Sequence, residues 1–288
     1  MRGAVWILVP ILAAGCAGGS GERQAKREAL ERAADASTVP KTAPRTEPQV
    51  SRGASGGAAT TARPAPKPKR KGGKTKPRHR SVSLPWRDDG ISQVVHVRVR
   101  RVAVYTSPQA KRPMLILRKR DERGTQRAFL VRSLSQRWVR VYLPTRPNGS
   151  VGWVRRRAVH TYTNGYRLVV RLRSHKLHLW RGGRLLATYP VAVGTRSTPT
   201  PRGLFYVVEL LKPHRPDGTY GPYSFGLSAH STVLKRFAGG DGRVGLHGTN
   251  QPDLIGTDVS HGCIRVRNAA IRHLAGILPL GTPVYIRS

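Results

Sequence analysis

Short runs of alternating hydrophobic and polar residues begin at about Val94 and continue to the carboxyl end of the chain. The first runs, among them VVHVRVRRVAVY, RAFLVRS and RWVRVYLP, are rich in β-branched and aromatic residues and are separated by turn residues. Asn148-Gly149 stands between two of these runs, and this dipeptide is typical of a tight β-hairpin. About five short strands in about 65 residues predict a small β-barrel over residues 91–163.

A second β-rich stretch starts at Tyr166. Leu168 and Val170 share one face of its first run, as alternating residues of a strand do. Further strand-like runs are KLHLWR, GLFYVVELL and the terminal GTPVYIRS, and the convincing helix is NAAIRHLAGIL, with Asn268 as its expected N-cap. The pattern therefore predicts a mainly β protein, whose second domain spans residues 166–287 and carries a short helix near its end.

The amino-terminal stretch MRGAVWILVPILAAGCAGGS has a different pattern. One early charge, an apolar run and then small residues form the layout of a secretory signal, and the run is too short to span a bilayer permanently. LAAGC, which ends at Cys16, is similar to a bacterial lipobox, in which the cysteine becomes the lipidated first residue. We expect residues 1–16 to be a signal peptide, the protein to be exported to the cell envelope or periplasm, and Cys16 to attach it to a membrane as a lipoprotein. Cleavage without lipidation is the alternative.

Residues 17–82 are rich in Ala, Pro, Gly, Ser, Thr and Lys, with almost no large apolar side chains. Such a segment cannot bury enough surface to offset its ordering entropy, so we expect a disordered, Pro/Lys/Arg-rich tether. The net charge of +38, from 52 basic and 14 acidic residues, predicts attraction to polyanions. Anionic polymers of the cell envelope fit an exported protein. Nucleic acid fits less well, because no helix-turn-helix, zinc-finger or RNP pattern is present. The alternative is that codon usage in the genome favours Arg, in which case the positive charge would not indicate any binding partner.

With Cys16 set aside, the chain carries one cysteine, Cys263, within VSHGCIRVRN. Free Cys is among the most buried residue types, so a place in the core is one interpretation. The Gly-rich, polar run that leads to Cys263 is longer than an ordinary connection, which is typical of a functional loop. His247 precedes Cys263 by 16 residues, and an imidazole can take a proton from a thiol and return it to a leaving amine. The predicted helix that follows Cys263 would favour the thiolate.

A metal site is the rival interpretation of these residues. His247, His261 and Cys263 offer three possible zinc ligands. No CxxC or HExxH spacing accompanies them, so we expect neither a metal nor another cofactor.

The motif around Cys263 resembles that of a known family. His247-Gly248 and the run SHGCIR, from Ser260 to Arg265, resemble the signature of L,D-transpeptidases with a YkuD-type catalytic domain. The upstream runs VGTRSTPTPRGLFYV and GTYGPYSFGLS look like the same domain. GSVGWVRRRAV, at the end of the first β-rich stretch, resembles bacterial SH3-like domains, which are common companions of this catalytic domain.

The resemblance implies a β-sandwich-like catalytic domain in which Cys263 is the nucleophile and His247 the general base and then acid, oriented by a backbone carbonyl. The thiol would attack a peptidoglycan stem tetrapeptide, release D-Ala, and pass the acyl group from a thioester to an amine, giving a 3→3 crosslink or a protein anchored to the wall. With water as the acceptor the activity would be that of an L,D-carboxypeptidase, and an inactive domain would leave a wall-binding protein. Carbapenem-type β-lactams are expected to acylate Cys263.

Other residues near the motif have weaker expected roles. Ser260, His261 and Gly262 would form or support the oxyanion site. Arg265 would meet a substrate carboxylate, with a pairing to loop carbonyls as the alternative. A lid over the donor site, or else a packed turn, is expected from Tyr220, Tyr223 and Ser224.

Overall fold

The computed structural model describes Trp86, residues 89–237 and residues 239–288 of the chain. The predicted signal peptide, Cys16 and the predicted tether lie outside these residues. Among the described residues, no helix combines the length and apolarity that a membrane span requires.

The first half of the described chain forms an antiparallel sheet of seven strands, here called the N-terminal sheet. In spatial order these are β3, β2, β6, β5, β4, β1 and β7. Their bounds are β1 Ser92–Val97, β2 Arg101–Tyr105, β3 Leu115–Arg118, β4 Ala128–Leu134, β5 Trp138–Tyr142, β6 Val151–Arg155 and β7 Val159–Asn164. Val95, Val139 and Val154 are fully buried in the core of this sheet. The strands agree with the predicted β-rich stretch.

The second half forms a nine-stranded sheet, the C-terminal sheet. Its strands are β8 Tyr166–Arg171, β9 Lys176–Arg181, β10 Arg184–Gly194, β11 Gly203–Leu211, β12 Ser224–His230, β13 Arg243–His247, β14 Asp258–Ser260, β15 Ile264–Val266 and β16 Pro283–Arg287. The spatial order is β14, β10, β15, β13, β12, β11, β16, β8 and β9. The long β10 pairs first with β9 and then with β15, so the sheet closes on itself around one core. The sandwich-like arrangement is thus one folded sheet.

The helix α1, Asn268–Ile277, covers one side of this core. Ile271 and Leu274 are fully buried, as the apolar stripe predicts. The expected N-cap is wrong by one residue: Arg267 is the N-cap, and Asn268 is the first helical residue. The Oδ1 atom of Asn268 instead accepts a hydrogen bond from the Thr249 N–H at 2.9 Å, so this side chain ties the helix to the loop after β13.

Strand β11 joins the two sheets because it is buried on both faces. Phe205 and Val207 belong to the core of the C-terminal sheet, whereas Leu204, Tyr206 and Val208 belong to the core of the N-terminal sheet. This explains the nearly continuous apolar run GLFYVVELL, where a strand with one wet face would alternate. The two sheets therefore share a packed interface within one compact unit.

Candidate active site

The pairing of β13 with β15 brings the HG motif, at His247-Gly248, next to the SHGC motif, which ends at Cys263. These strands run parallel, with Leu246 opposite Ile264 and His247 opposite Arg265. Cys263 lies just before β15, and this register places it beside Gly245, in the middle of β13. The Gly245 N–H donates a hydrogen bond to Cys263 Sγ at 3.3 Å, which fixes the thiol next to the strand that carries His247.

His247 is held as a neutral base. Its Nδ1 lies 2.7 Å from the Gly248 carbonyl oxygen, and since a carbonyl can only accept, Nδ1 carries the proton and Nε2 the lone pair. This is the backbone orientation that the family resemblance implies. The side chain is 2% exposed, and burial lowers the pKa of His247 to about 4. The imidazole is therefore unprotonated at neutral pH and free to accept a proton.

Cys263 is half-buried and protonated at rest. Burial raises the pKa of its thiol, and the opposing effects of the Gly245 N–H and the Arg265 charge do not overcome it. The expected helix does follow Cys263, with α1 beginning at Asn268, but burial still leaves the pKa of the thiol raised. The Cys263 thiol and the His247 imidazole are therefore both neutral at rest.

Ser260 and Gly262 shape the loop that presents the thiol. Ser260 Oγ donates to the Cys263 carbonyl at 2.6 Å and accepts the Gly262 N–H at 3.1 Å. Gly262 has a φ of +108°, a conformation that a residue with a side chain rarely adopts. Since the Gly262 N–H bonds within the loop, these two residues act in this structure as loop supports.

Two threonines that the sequence did not single out also hold this loop. The Thr195 N–H and the Thr198 hydroxyl both donate to the Ser260 carbonyl, at 3.0 Å and 3.2 Å. They belong to the run VGTRSTPTPRG, which resembles the family. Nothing in the pattern of this run predicted which of its atoms would hydrogen-bond the Ser260 carbonyl.

Arg265 places a cation beside the thiol. Its Nη1 donates to Gln251 Oε1 at 3.1 Å, and its buried Nε has no hydrogen-bond partner among the described residues. The Arg265 charge is close enough to act on the ionisation of both Cys263 and Tyr220. An unpaired buried donor next to the thiol suits a site that receives an acceptor from a ligand.

Of the three residues expected in a lid, Tyr220 contacts His247 through its ring. Its ring packs edge-on against His247 at a centroid distance of 4.9 Å, and burial together with the nearby Cys263 raises its pKa to about 12. The Tyr223 carbonyl accepts the Gly248 N–H at 3.2 Å, and Ser224 is the first residue of β12, opposite His247. The backbone of these last two residues therefore borders the site, and Ser224 Oγ lies near Gly245 as the His247 ring does.

His261 faces a pocket next to the thiol. Its ring stacks on Phe237 with a centroid distance of 5.4 Å and an angle of 27°. The pocket is lined by Ser231, Leu234, Phe237, Gly242, Arg243, Val244, His261, Gly262 and Cys263. Within the described part of the chain, no group of three or more His, Cys, Asp or Glu side chains lies close enough to hold a metal ion.

Cys263 thus lies at the edge of a pocket, and the neighbouring strand β13 carries an imidazole whose tautomer is fixed by a carbonyl. A thiol and a neutral imidazole on adjacent strands can supply a nucleophile and its base. Cysteine-dependent acyltransferases and hydrolases use this class of site.

Comparison with known proteins identifies the family. Residues 165–286 match the family model of the L,D-transpeptidase catalytic domain, YkuD. The chain is 41% identical over 121 residues to "Putative L,D-transpeptidase YkuD" of Bacillus licheniformis, covering 42% of this chain and 65% of that protein. It is 38% identical over 125 residues to the Bacillus subtilis protein of the same name, covering 43% of this chain and 68% of that protein. The chain belongs to the L,D-transpeptidase family with the YkuD-type catalytic domain.

Solved structures in the same comparison include the L,D-transpeptidase LdtMt1 in complex with imipenem. That chain is 17% identical to this one, with 71% of this chain and 88% of the other covered and a TM-score of 0.38.

Proposed function

We propose that this protein is a cysteine-dependent L,D-transpeptidase that acts on peptidoglycan stem tetrapeptides. Membership of the family supports this function. The observation that carries it is the neutral His247 of β13, fixed by the Gly248 carbonyl, with Cys263 held against Gly245 of the same strand. The chain spans about two thirds of the length of these Bacillus relatives.

The first half of the reaction makes an acyl-enzyme. Cys263 Sγ attacks the carbonyl carbon of the third stem residue while His247 Nε2 takes the thiol proton. Because the thiol holds its proton far more tightly than the imidazole, the transfer accompanies attack rather than preceding it. The tetrahedral intermediate then collapses, the imidazolium gives its proton to the amine of D-Ala, and a thioester remains on Cys263.

The second half passes the acyl group on. An amine of a neighbouring stem, or of a protein to be anchored, attacks the thioester, and His247 takes the proton of that amine. The sulfur leaves and recovers the proton from His247, so the enzyme returns to its neutral state. Water in place of the amine would give the L,D-carboxypeptidase reaction, in which a tripeptide is released.

Substrate contacts follow from the charges near the thiol. The unpaired Nε of Arg265 would donate to a carboxylate or carbonyl of the stem peptide, and Tyr220 would close over His247 on the donor side. Ser260, Gly262 and His261 would support the oxyanion site by fixing the loop, so that the N–H of Cys263 itself is directed at the developing charge.

The remaining parts of the chain fit an exported wall enzyme. The N-terminal sheet would be an SH3-like domain, the basic tether would bind anionic envelope polymers, and a lipidated Cys16 would attach the protein to a membrane. Family membership also supports acylation of Cys263 by carbapenem-type β-lactams.

The test is turnover of a purified disaccharide-tetrapeptide by the full chain, with products weighed by mass spectrometry. We expect release of D-Ala with a crosslinked dimer; release of D-Ala with tripeptide alone would assign the carboxypeptidase reaction instead. Cys263→Ala should abolish turnover and the mass adduct with a carbapenem. Turnover that persists in this variant, or a wild-type protein that forms neither product nor adduct, would show that the proposal is wrong.

A further inference from the structure

One wall of the pocket at Cys263 is the loop between β12 and β13. This loop, called the β12–β13 loop and described over residues 231–237 and 239–242, contributes Ser231, Leu234, Phe237 and Gly242 to the pocket lining. It carries exposed side chains such as Val233, which is 53% exposed, and places Phe237 on the ring of His261. The loop thus shapes the space beside the thiol while burying few apolar side chains of its own.

The loop is held from outside by Arg146, in the turn between β5 and β6 of the N-terminal sheet. Arg146 Nη1 donates to the Ser231 carbonyl at 2.6 Å, and its Nη2 donates to the carbonyls of Leu234 and Asp241, both at 3.0 Å. The guanidinium therefore ties the two ends of the loop together. Its planar fork of five donors suits this task, whereas the single ammonium of a lysine would not span the same three acceptors.

Asn148, in the same turn, fixes the strand from which the loop departs. Its Nδ2 donates to the His230 carbonyl at 2.7 Å, and its Oδ1 accepts the His230 N–H at 2.9 Å. This pair of bonds imitates a β-bridge and sets where β12 ends. His230 Nε2 in turn lies 2.9 Å from Asp241 Oδ2, which closes the base of the loop from within.

We propose that Arg146 and Asn148 are positioning residues, through which the N-terminal sheet holds the β12–β13 loop as a wall of the substrate pocket. They touch neither Cys263 nor His247, so they act on how substrate is bound and not on the thiol–imidazole pair. The inference rests on the proposed function for its kinetic consequence, but its structural part, the restraint of the loop, can be measured without any turnover.

The kinetic test compares the full chain with Arg146→Ala, Arg146→Lys and Asn148→Ala. For Arg146→Ala we expect the KM for the stem tetrapeptide to rise about fivefold, because three charge-assisted but partly solvated hydrogen bonds are lost. The kcat should stay within about twofold and the pH profile of kcat should not move, since the reacting pair is intact. Arg146→Lys and Asn148→Ala should give smaller increases in KM. Arg112→Ala, an exposed arginine of the same sheet, is the matched control.

The structural test is limited trypsin digestion of the same proteins, followed by mass spectrometry of the fragments. Lys235 and Arg236 are exposed on the β12–β13 loop, so cleavage after them should be about fivefold faster in Arg146→Ala than in the wild type or in Arg112→Ala. Equal cleavage rates would overturn the proposal even if the wild type has no transpeptidase activity. A lower kcat with unchanged KM would overturn it as well, because Arg146 would then act on the chemistry. If Arg146→Ala does not fold, the proposal is tested with Asn148→Ala and Arg146→Lys, using the same kinetic and digestion measurements.

Discussion

The neutral His247 makes a quantitative prediction about stability in acid. Burial lowers its pKa from the usual 6.5 to about 4, whereas in the unfolded chain the imidazole returns to its usual value. Between these two pH values the unfolded state binds a proton that the folded state does not, so lowering the pH favours unfolding. The stabilising effect of a neutral His247 is complete above pH 6.5 and is lost as the pH falls to about 4.

The size of the effect follows from the two pKa values. At about 1.4 kcal/mol per pKa unit, His247 should reduce the free energy of unfolding by about 2 kcal/mol at pH 5 and by about 3 kcal/mol at pH 4, relative to pH 7. His247→Gln removes the titrating group and keeps a polar side chain. Its stability should therefore rise relative to the wild type by those amounts as the pH falls, whatever the difference between the two proteins at pH 7.

The assay is urea denaturation of the wild type and His247→Gln at pH 7, 6 and 5, with unfolding free energies obtained by linear extrapolation. Other buried histidines contribute to the acid sensitivity of both proteins, so the informative quantity is the difference between them. Cys263→Ala serves as the control, because its thiol pKa is raised and does not titrate in this range. If the stabilities of the wild type and His247→Gln fall in parallel from pH 7 to pH 5, His247 is not held neutral by burial and the mechanism built on it is wrong.

Two further substitutions test the supports of the site. Asn268→Ala should destabilise the fold by about 1–3 kcal/mol in urea denaturation, because the buried Thr249 N–H loses its acceptor, while Asn268→Asp, which keeps an acceptor, should cost less. Gly262→Ala should strain the backbone by about 1–2 kcal/mol, since its φ is +108°, and should slow acylation of Cys263 as followed by intact mass. Unchanged acylation would mean that the loop tolerates another conformation.

The parts of the site that the sequence revealed are those encoded locally. His247 and Cys263 stand in short motifs, and their chemistry needs only that two strands lie side by side. Leu168 and Val170 were assigned to one face by alternation, and both are fully buried. The burial of alternating residues can be predicted because it depends only on neighbouring positions in the sequence.

The inferences that failed depend on atoms distant in the chain. About five strands were expected in the first β-rich stretch, and the structure has seven. The run VVHVRVRRVAVY forms both β1 and β2, because the N–H of Arg98, between the two strands, bonds the Ala158 carbonyl instead of continuing the ladder. The burial that raises the pKa of Cys263 comes from residues of several strands, so the helix that follows Cys263 in the sequence did not reveal it. Arg146 is 85 residues from Ser231, and no pattern near either residue marks their contact.

The neutral state of Cys263 and His247 bears on the role of the N-terminal sheet in the reaction. A thiolate reacts readily with oxidants and general electrophiles, whereas a protonated thiol does so slowly. In the proposed mechanism, Cys263 becomes nucleophilic as its proton moves to His247, and that transfer requires a substrate carbonyl in position for attack. Reactivity therefore depends on how well the pocket walls hold the substrate. One of these walls is the β12–β13 loop, whose ends are tied to Arg146. If Arg146 positions this wall as proposed, the N-terminal sheet would contribute to selecting what the thiol attacks.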